Sequence, residues 1–267
     1  MTYDIKNFTN DFEQFRPHLK SFILRMTASV EDTEDLVQDT FIKADNNLHT
    51  FKNESSLKTW VFAIATNLTK NFLRSKKLWT ENVTDIGKDA AIASPDFMQK
   101  IMAVHQTSTE GVFELHEHIN FCFTCIGKTL PIEQQVALLL KEIYDFKVVE
   151  VAEILQVTEG VVKHLLFNSR QTMIKIFDKR CSLISKEGIC HQCSELNGMF
   201  NSKHETQKKL MTIELVKQAN SSTAEELLDL RTKIAKSIDP YNTSGAELQF
   251  FHLKHTKSAM ENFQNEK

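Results

Sequence analysis

Apolar positions recur at helical spacing from Phe8 to Lys77, fade, and return from Gly111 to Arg180. Within the first stretch, Asp32 to Leu48 reads as one helix. Val37, Phe41, Ala44 and Leu48 fall on one stripe, with Glu31, Asp32, Asp35 and Asp39 opposite. A second helix is predicted from about Ser55 to Lys77. Leu57, Val61, Ile64, Leu68 and Phe72 form its expected core stripe, and Trp60, Ala63, Asn67, Lys70 and Arg74 a second one. The stretch from Leu78 to about Thr109, with Ser94-Pro95 inside it, reads as a linker that holds a short helix.

Beyond it, Leu130-Pro131 opens a helix that runs to about Tyr144, with proline at a tolerated first-turn position. A short helix from Val148 to Leu155, a three-residue turn at Gln156-Val157-Thr158 and a longer helix from Glu159 to about Phe177 follow. Thr158 is the expected N-cap. Val161, Val162, Leu165, Leu166 and Met173 are expected to face inward, and Lys163, His164, Phe167, Arg170 and Gln171 outward. A cysteine-bearing segment, Cys181 to Phe200, precedes two further helices broken at Ser221-Ser222 and between Asp239 and Gly245.

Only 7 Gly and 4 Pro occur among 267 residues, and 41% are apolar, which favours compact helical modules over a turn-rich β fold. The expected architecture is all-α. Two small helical domains, 1–80 and 111–180, are joined by a linker, 81–110, and followed by a helical C-terminal extension, 181–267. The formal net charge of −3 gives no overall electrostatic footprint for nucleic acid and weakens a reading as a non-specific DNA coater, so any DNA contact must come from local basic faces. The opening residues, Met-Thr-Tyr-Asp-Ile-Lys, carry no apolar signal region, and no run approaches a membrane span. A cytoplasmic protein with no membrane association is expected, and its five cysteines are then not a disulfide framework.

Three features carry chemistry. The acidic face at residues 31–39 is either solvated charge near a helix start or a docking face for a basic partner. The Trp60 stripe sets an aromatic ring, amides and cations along one edge, which suits an unstacked DNA strand: the ring stacks, the amides read base edges and the cations follow phosphate. The competing reading makes Trp60 a core residue and the lysines solvated. The helix–turn–helix from Val148 suits a major-groove reader, against an ordinary helical hairpin.

The residues Asp32-Thr-Glu-Asp-Leu-Val-Gln-Asp-Thr-Phe-Ile-Lys-Ala44, Asn47-Leu-His-Thr-Phe51, Ser55-Ser-Leu-Lys-Thr-Trp-Val-Phe-Ala-Ile-Ala65, Asn67 and Leu73-Arg74 closely resemble the second conserved region of bacterial sigma factors. Leu130-Pro131, Val151-Ala-Glu-Ile-Leu155 and Thr158-Glu-Gly-Val-Val-Lys163 resemble the fourth. Each match covers about 45 residues, and together they point to the small extracytoplasmic-function (ECF) type. The resemblance implies an initiation subunit with core RNA polymerase and promoter DNA as partners, and it admits an anti-sigma factor. It assigns Asp35, Leu36, Gln38 and Asp39 to polymerase docking. Phe51, Lys58, Trp60, Asn67, Lys70, Asn71 and Arg74 fall to the −10 element and its melting. Thr158, Glu159, Lys163, His164, Phe167 and Arg170 fall to the −35 element.

This chain departs from the family in three places. Ala44-Asp45 stands where Ala-Trp is usual, Gln156 where Gly is common in the turn, and Leu165, Phe167 and Asn168 where Arg or His is common. Fewer cations there lower the phosphate-derived share of affinity.

Cys181, Cys190, His191 and Cys193 have zinc-ligand chemistry and spacing; a redox cluster and ordinary packing remain alternatives. Cys122-Phe-Thr-Cys125 has the same spacing, but its apolar neighbours favour burial. The extension resembles Cys-His-Gln-Cys extensions of some family members, which implies a regulatory segment. A helix–turn–helix regulator independent of polymerase would explain residues 130–177 but not the acidic helix or the Trp60 stripe. An enzyme is not expected: the chain has no nucleophile–base constellation and no Gly-rich phosphate loop.

Overall fold

The structure, a computed structural model, describes residues 5–76, 79–107, 115–180, 222–243 and 245–266. Helices and turns account for the described residues, and no strand occurs among them. The helices are α1 (Ile5–Thr27), α2 (Val30–Asn46), α3 (Leu57–Arg74), α4 (Val83–Ile92), α5 (Pro95–Thr107), α6 (Leu115–Gly127), α7 (Ile132–Leu138), α8 (Val148–Leu155), α9 (Glu159–Arg180), α10 (Ala224–Ser237) and α11 (Ala246–Asn265). Two compact units divide them. Unit 1 holds residues 1–78 and 130–169, and unit 2 holds 79–129 and 170–267.

Local chemistry fixes the helix ends. Ser29 and Ser56 accept hydrogen bonds from the backbone N–H of Asp32 (3.3 Å) and Thr59 (3.0 Å), which caps α2 and α3. Thr158 does the same for Val161 at the start of α9. Thr223 and Glu226 form a reciprocal capping box at the start of α10. The α1–α2 corner turns on Ala28 at φ 56°, and the α8–α9 turn on Gln156 at φ 57°, both left-handed positions without glycine.

The core of unit 1 is aromatic. Phe8, Phe12, Phe15 and Phe22 of α1 are buried, and Phe41 of α2 lies 5.0 Å from Phe12 and 5.6 Å from Phe8, ring centre to ring centre. Phe62 of α3 joins this cluster to the second part of the unit, with Phe146 at 4.9 Å and Tyr144 at 6.4 Å. The helix opened at Pro131 widens after α7 into one π turn, Leu139–Ile143, before the chain reverses at Asp145 (φ 60°).

Four expectations need correction. The stretch 78–109 holds two helices, α4 and α5, rather than one short one. Ser94-Pro95, read as a loop signal, is a helix start: Ser94 Oγ accepts from the Phe97 N–H at 3.3 Å, and Pro95 takes the first helical position. In α3 only Val61 of the expected stripe is buried, and Leu57, Ile64, Leu68 and Phe72 are half-buried. Thr59, Val61, Phe62, Ala65, Thr66, Thr69 and Leu73 are buried, because α3 packs against α1 and α2 on one side and against α7 and α8 on another. In α9 the packed face follows Val162, Ser169 and Met173, all at 0% exposure, which leaves Val161 outside at 44%.

Unit 2 is a bundle of α4, α5, α6, the second half of α9, α10 and α11. Phe97 of α5 stacks on Phe251 and His255 of α11. Glu117 of α6 accepts the Gly245 N–H (2.8 Å) at the start of α11, where a Cβ would collide with its carboxylate. Asn120 donates to Gln249 at 3.0 Å across the buried α6–α11 interface.

Candidate nucleic-acid interface

The outer edge of α3 carries the aromatic and amide stripe. Trp60 is half-buried and tilts against Phe51, ring centres 5.4 Å apart, so the loop before α3 and the helix itself meet at one aromatic pair. Asn67, Asn71 and Arg74 are exposed along the same side, and Arg74 donates to Asn71 Oδ1 at 3.0 Å. An amide and a guanidinium so linked offer a base edge and a phosphate partner a few ångströms apart.

The remaining two cations of that set are engaged within unit 1. The Lys70 ammonium lies 3.1 Å from Glu133 and is only 14% exposed. Burial pushes the Glu133 carboxyl up; its own backbone N–H, the Lys70 contact and Arg74 outweigh that and hold it below the ordinary carboxylate range. Lys58 lies over the Phe146 ring at 4.7 Å. Burial holds its ammonium below the ordinary lysine range, against an upward pull from Glu150 and Asp145. Between them, Thr59 donates to Glu150 at 3.3 Å. Buried hydrogen bonds fasten the same packing: Tyr144 to Ser21 (2.9 Å) and Gln135 to the Arg25 carbonyl (3.1 Å). Sequence periodicity carries no trace of these contacts, which join residues more than sixty positions apart.

On α2, Asp35, Gln38 and Asp39 are exposed on one face. Leu36, grouped with them by the family motif, is buried at 6% and belongs to the core. It follows Asp35 by 100°, which turns it under the helix.

The turn and second helix of residues 148–180 place Thr158, Glu159, Lys163, His164 and Phe167 at the surface. Arg170 is three-quarters buried and its guanidinium is 2.6 Å from Asp229 of α10, a partner that no local pattern announces. Asn168 contacts His164 Nε2 at 3.0 Å. Cys181, Cys190, His191 and Cys193 lie outside the described residues. Cys122 and Cys125 are buried in α6. Among the described residues no group of three or more His, Cys, Asp or Glu is placed to hold a metal. No described helix is long and apolar enough to cross a membrane.

Two family models match the chain: sigma-70 region 2 over residues 12–78, and sigma-70 region 4 over residues 122–173. The chain is similar to the ECF RNA polymerase sigma factor SigW of Bacillus subtilis, with 29% identity over 63% of this chain and 87% of that one. The chain belongs to the ECF sigma factors. The ECF RNA polymerase sigma-E factor of Haemophilus influenzae is 28% identical over 56% of this sigma factor and 76% of its own length. SigG of Mycobacterium tuberculosis is 26% identical, and there the match spans 48% of the longer relative. Among solved structures, the sigma factor RpoE in its complex with the anti-sigma factor NepR from Bartonella quintana aligns with 64% of this chain and 97% of its own, at TM-score 0.45 and 21% identity. The region 2 match takes in α2, α3 and the loop between them. The region 4 match takes in α7, α8 and most of α9. Residues beyond Met173, including α10 and α11, lie outside both matches.

Proposed function

We propose that this sigma factor binds core RNA polymerase in the cytoplasm, directs it to promoters and helps open the DNA, without being a catalyst itself. In this reading residues 1–80 dock on polymerase and handle the −10 element, residues 111–180 read the −35 element, and residues 181–267 form a regulatory extension. The family reading extends the partners to an anti-sigma factor.

The observation that carries the reading is the outer edge of α3. Phe51 and Trp60 form an aromatic pair at one end, and Asn67, Asn71 and Arg74 lie exposed along the rest. Base–aromatic stacking is worth about 1–3 kcal/mol per base, enough to hold an unpaired strand without sequence-wide contacts. A duplex reader has no use for such an edge, which favours an opening role over a helix–turn–helix regulator independent of polymerase. The exposed acids of α2 supply the docking face. Their charge is opposite to that of a basic partner surface.

Co-purification with core RNA polymerase tests the docking assignment. Wild-type protein is expected to co-elute with core enzyme, and Asp35→Lys/Asp39→Lys to elute alone with its helicity intact. Wild-type-like association of the double variant would remove the docking assignment.

A further inference from the structure

The face of α9 that points away from the core has an unusual composition for a groove-reading helix. Val162 and Ser169 are fully buried and fix the inward direction. Opposite them, within an arc of about 120° at helical spacing, stand Phe167, His164, Asn168 and Val161. Phe167 is 61% exposed and Val161 44%. Lys163 is the one cation between residues 159 and 169, and the next, Arg170, is held by Asp229. A face with so little charge draws little affinity from phosphate. Its selectivity therefore rests on amide and apolar groups.

The Asn168–His164 contact decides what the amide can read. Asn168 Nδ2 lies 3.0 Å from His164 Nε2, so with the amide nitrogen as donor the ring holds that end of the amide. One Nδ2 proton and both Oδ1 lone pairs then remain, a donor beside an acceptor on a partly exposed residue. That pair matches the major-groove edge of adenine, where N7 accepts and N6 donates. It mismatches guanine, whose N7 and O6 both accept and would set O6 against Oδ1. Phe167, the adjacent residue, offers a flat apolar surface of the kind that packs on the thymine 5-methyl group.

We propose that Asn168, oriented by His164, reads an adenine in the −35 element and that Phe167 packs on a thymine methyl of the same or the neighbouring pair. The module then selects an A·T-containing element through amide and apolar contacts instead of arginines. This rests on the assignment of residues 111–180 to the −35 element.

The test uses full-length protein in holoenzyme and a promoter library randomised across the upstream element. Adenine and thymine are expected at adjacent selected positions. In the selected promoter, 7-deazaadenine, which lacks the N7 acceptor, should weaken wild-type binding about fivefold or more. Deoxyuridine, which lacks the methyl group, should weaken it about fourfold at the contacted thymine. Asn168→Ala should lose the sensitivity to 7-deazaadenine and keep that to deoxyuridine; Phe167→Ala should do the reverse. Selection of G·C pairs, or full sensitivity to both analogues retained in both variants, overturns the proposal. A wild-type holoenzyme that fails to initiate even on a pre-melted template without an upstream element would instead sink the initiation reading beneath it.

Discussion

In unit 1, Tyr144 supplies a perturbation that changes one atom. Its ring stands edge-on to Phe22, with centres 5.8 Å apart, and its hydroxyl meets Ser21 Oγ at 2.9 Å in a buried site. Tyr144→Phe keeps the ring and removes that hydrogen bond. A neutral buried hydrogen bond contributes about 1 kcal/mol net, and a serine left short of a partner raises the loss to about 1.5 kcal/mol. That shifts the balance between packed and parted arrangements of residues 1–78 and 130–169 by roughly tenfold. Lys58, Thr59 and Lys70 are held by this packing, through Phe146, Glu150 and Glu133. Parting therefore exposes Lys58 and Lys70, two of the cations that the proposed function assigns to DNA. Hydrogen exchange should lose about tenfold protection in both α3 and α8, and free protein should bind single-stranded −10 DNA more tightly by a similar factor. Ser21→Ala should add little to Tyr144→Phe, since both remove one interaction. Protection lost in α8 alone, or full additivity of the two substitutions, would refute the reasoning.

Other perturbations follow from the same structure. Asn67→Ala and Arg74→Ala should slow promoter opening about tenfold or more and leave holoenzyme assembly intact, as seen by permanganate reactivity of thymines near the start site. Gln156→Gly should raise stability by about 0.5–1 kcal/mol in urea unfolding, because the turn holds φ 57° without a glycine. His255 stacks on Phe97 and bonds the Gly87 carbonyl; burial lowers its pKa below 6.5, partly offset by that carbonyl. The unfolded chain then binds the extra proton more readily. The stability is present above about pH 6.5 and lost as pH falls through the lower folded value; thermal unfolding of His255→Phe should show a flatter pH dependence over that window.

Elements with strong local signals were legible in the sequence. The turn at Gln156–Thr158, the cap at Thr158 and the break between α10 and α11 all rest on short-range chemistry, and the structure places them where the residues predict. The phase of α3 was not legible. Thr59, Thr66 and Thr69 are buried although threonine reads as a boundary residue, because two sets of neighbours cover the helix and widen its packed side. Ser94-Pro95 failed for a different reason: the same pair can end a loop or begin a helix, and only the Phe97 N–H bond distinguishes the cases. At the site, residue types were readable and their engagement was not. Nothing near Lys70 in the chain announces Glu133, and nothing near Arg170 announces Asp229, because each pairing is made by tertiary packing.

Permanganate footprinting of a promoter with core RNA polymerase, with and without this protein, tests the central claim most directly. Thymines around the start site should become reactive only when both are present, and the reactivity should disappear with Asp35→Lys/Asp39→Lys. Reactivity with core enzyme alone that the protein does not change, on every promoter tried, would contradict a role in initiation.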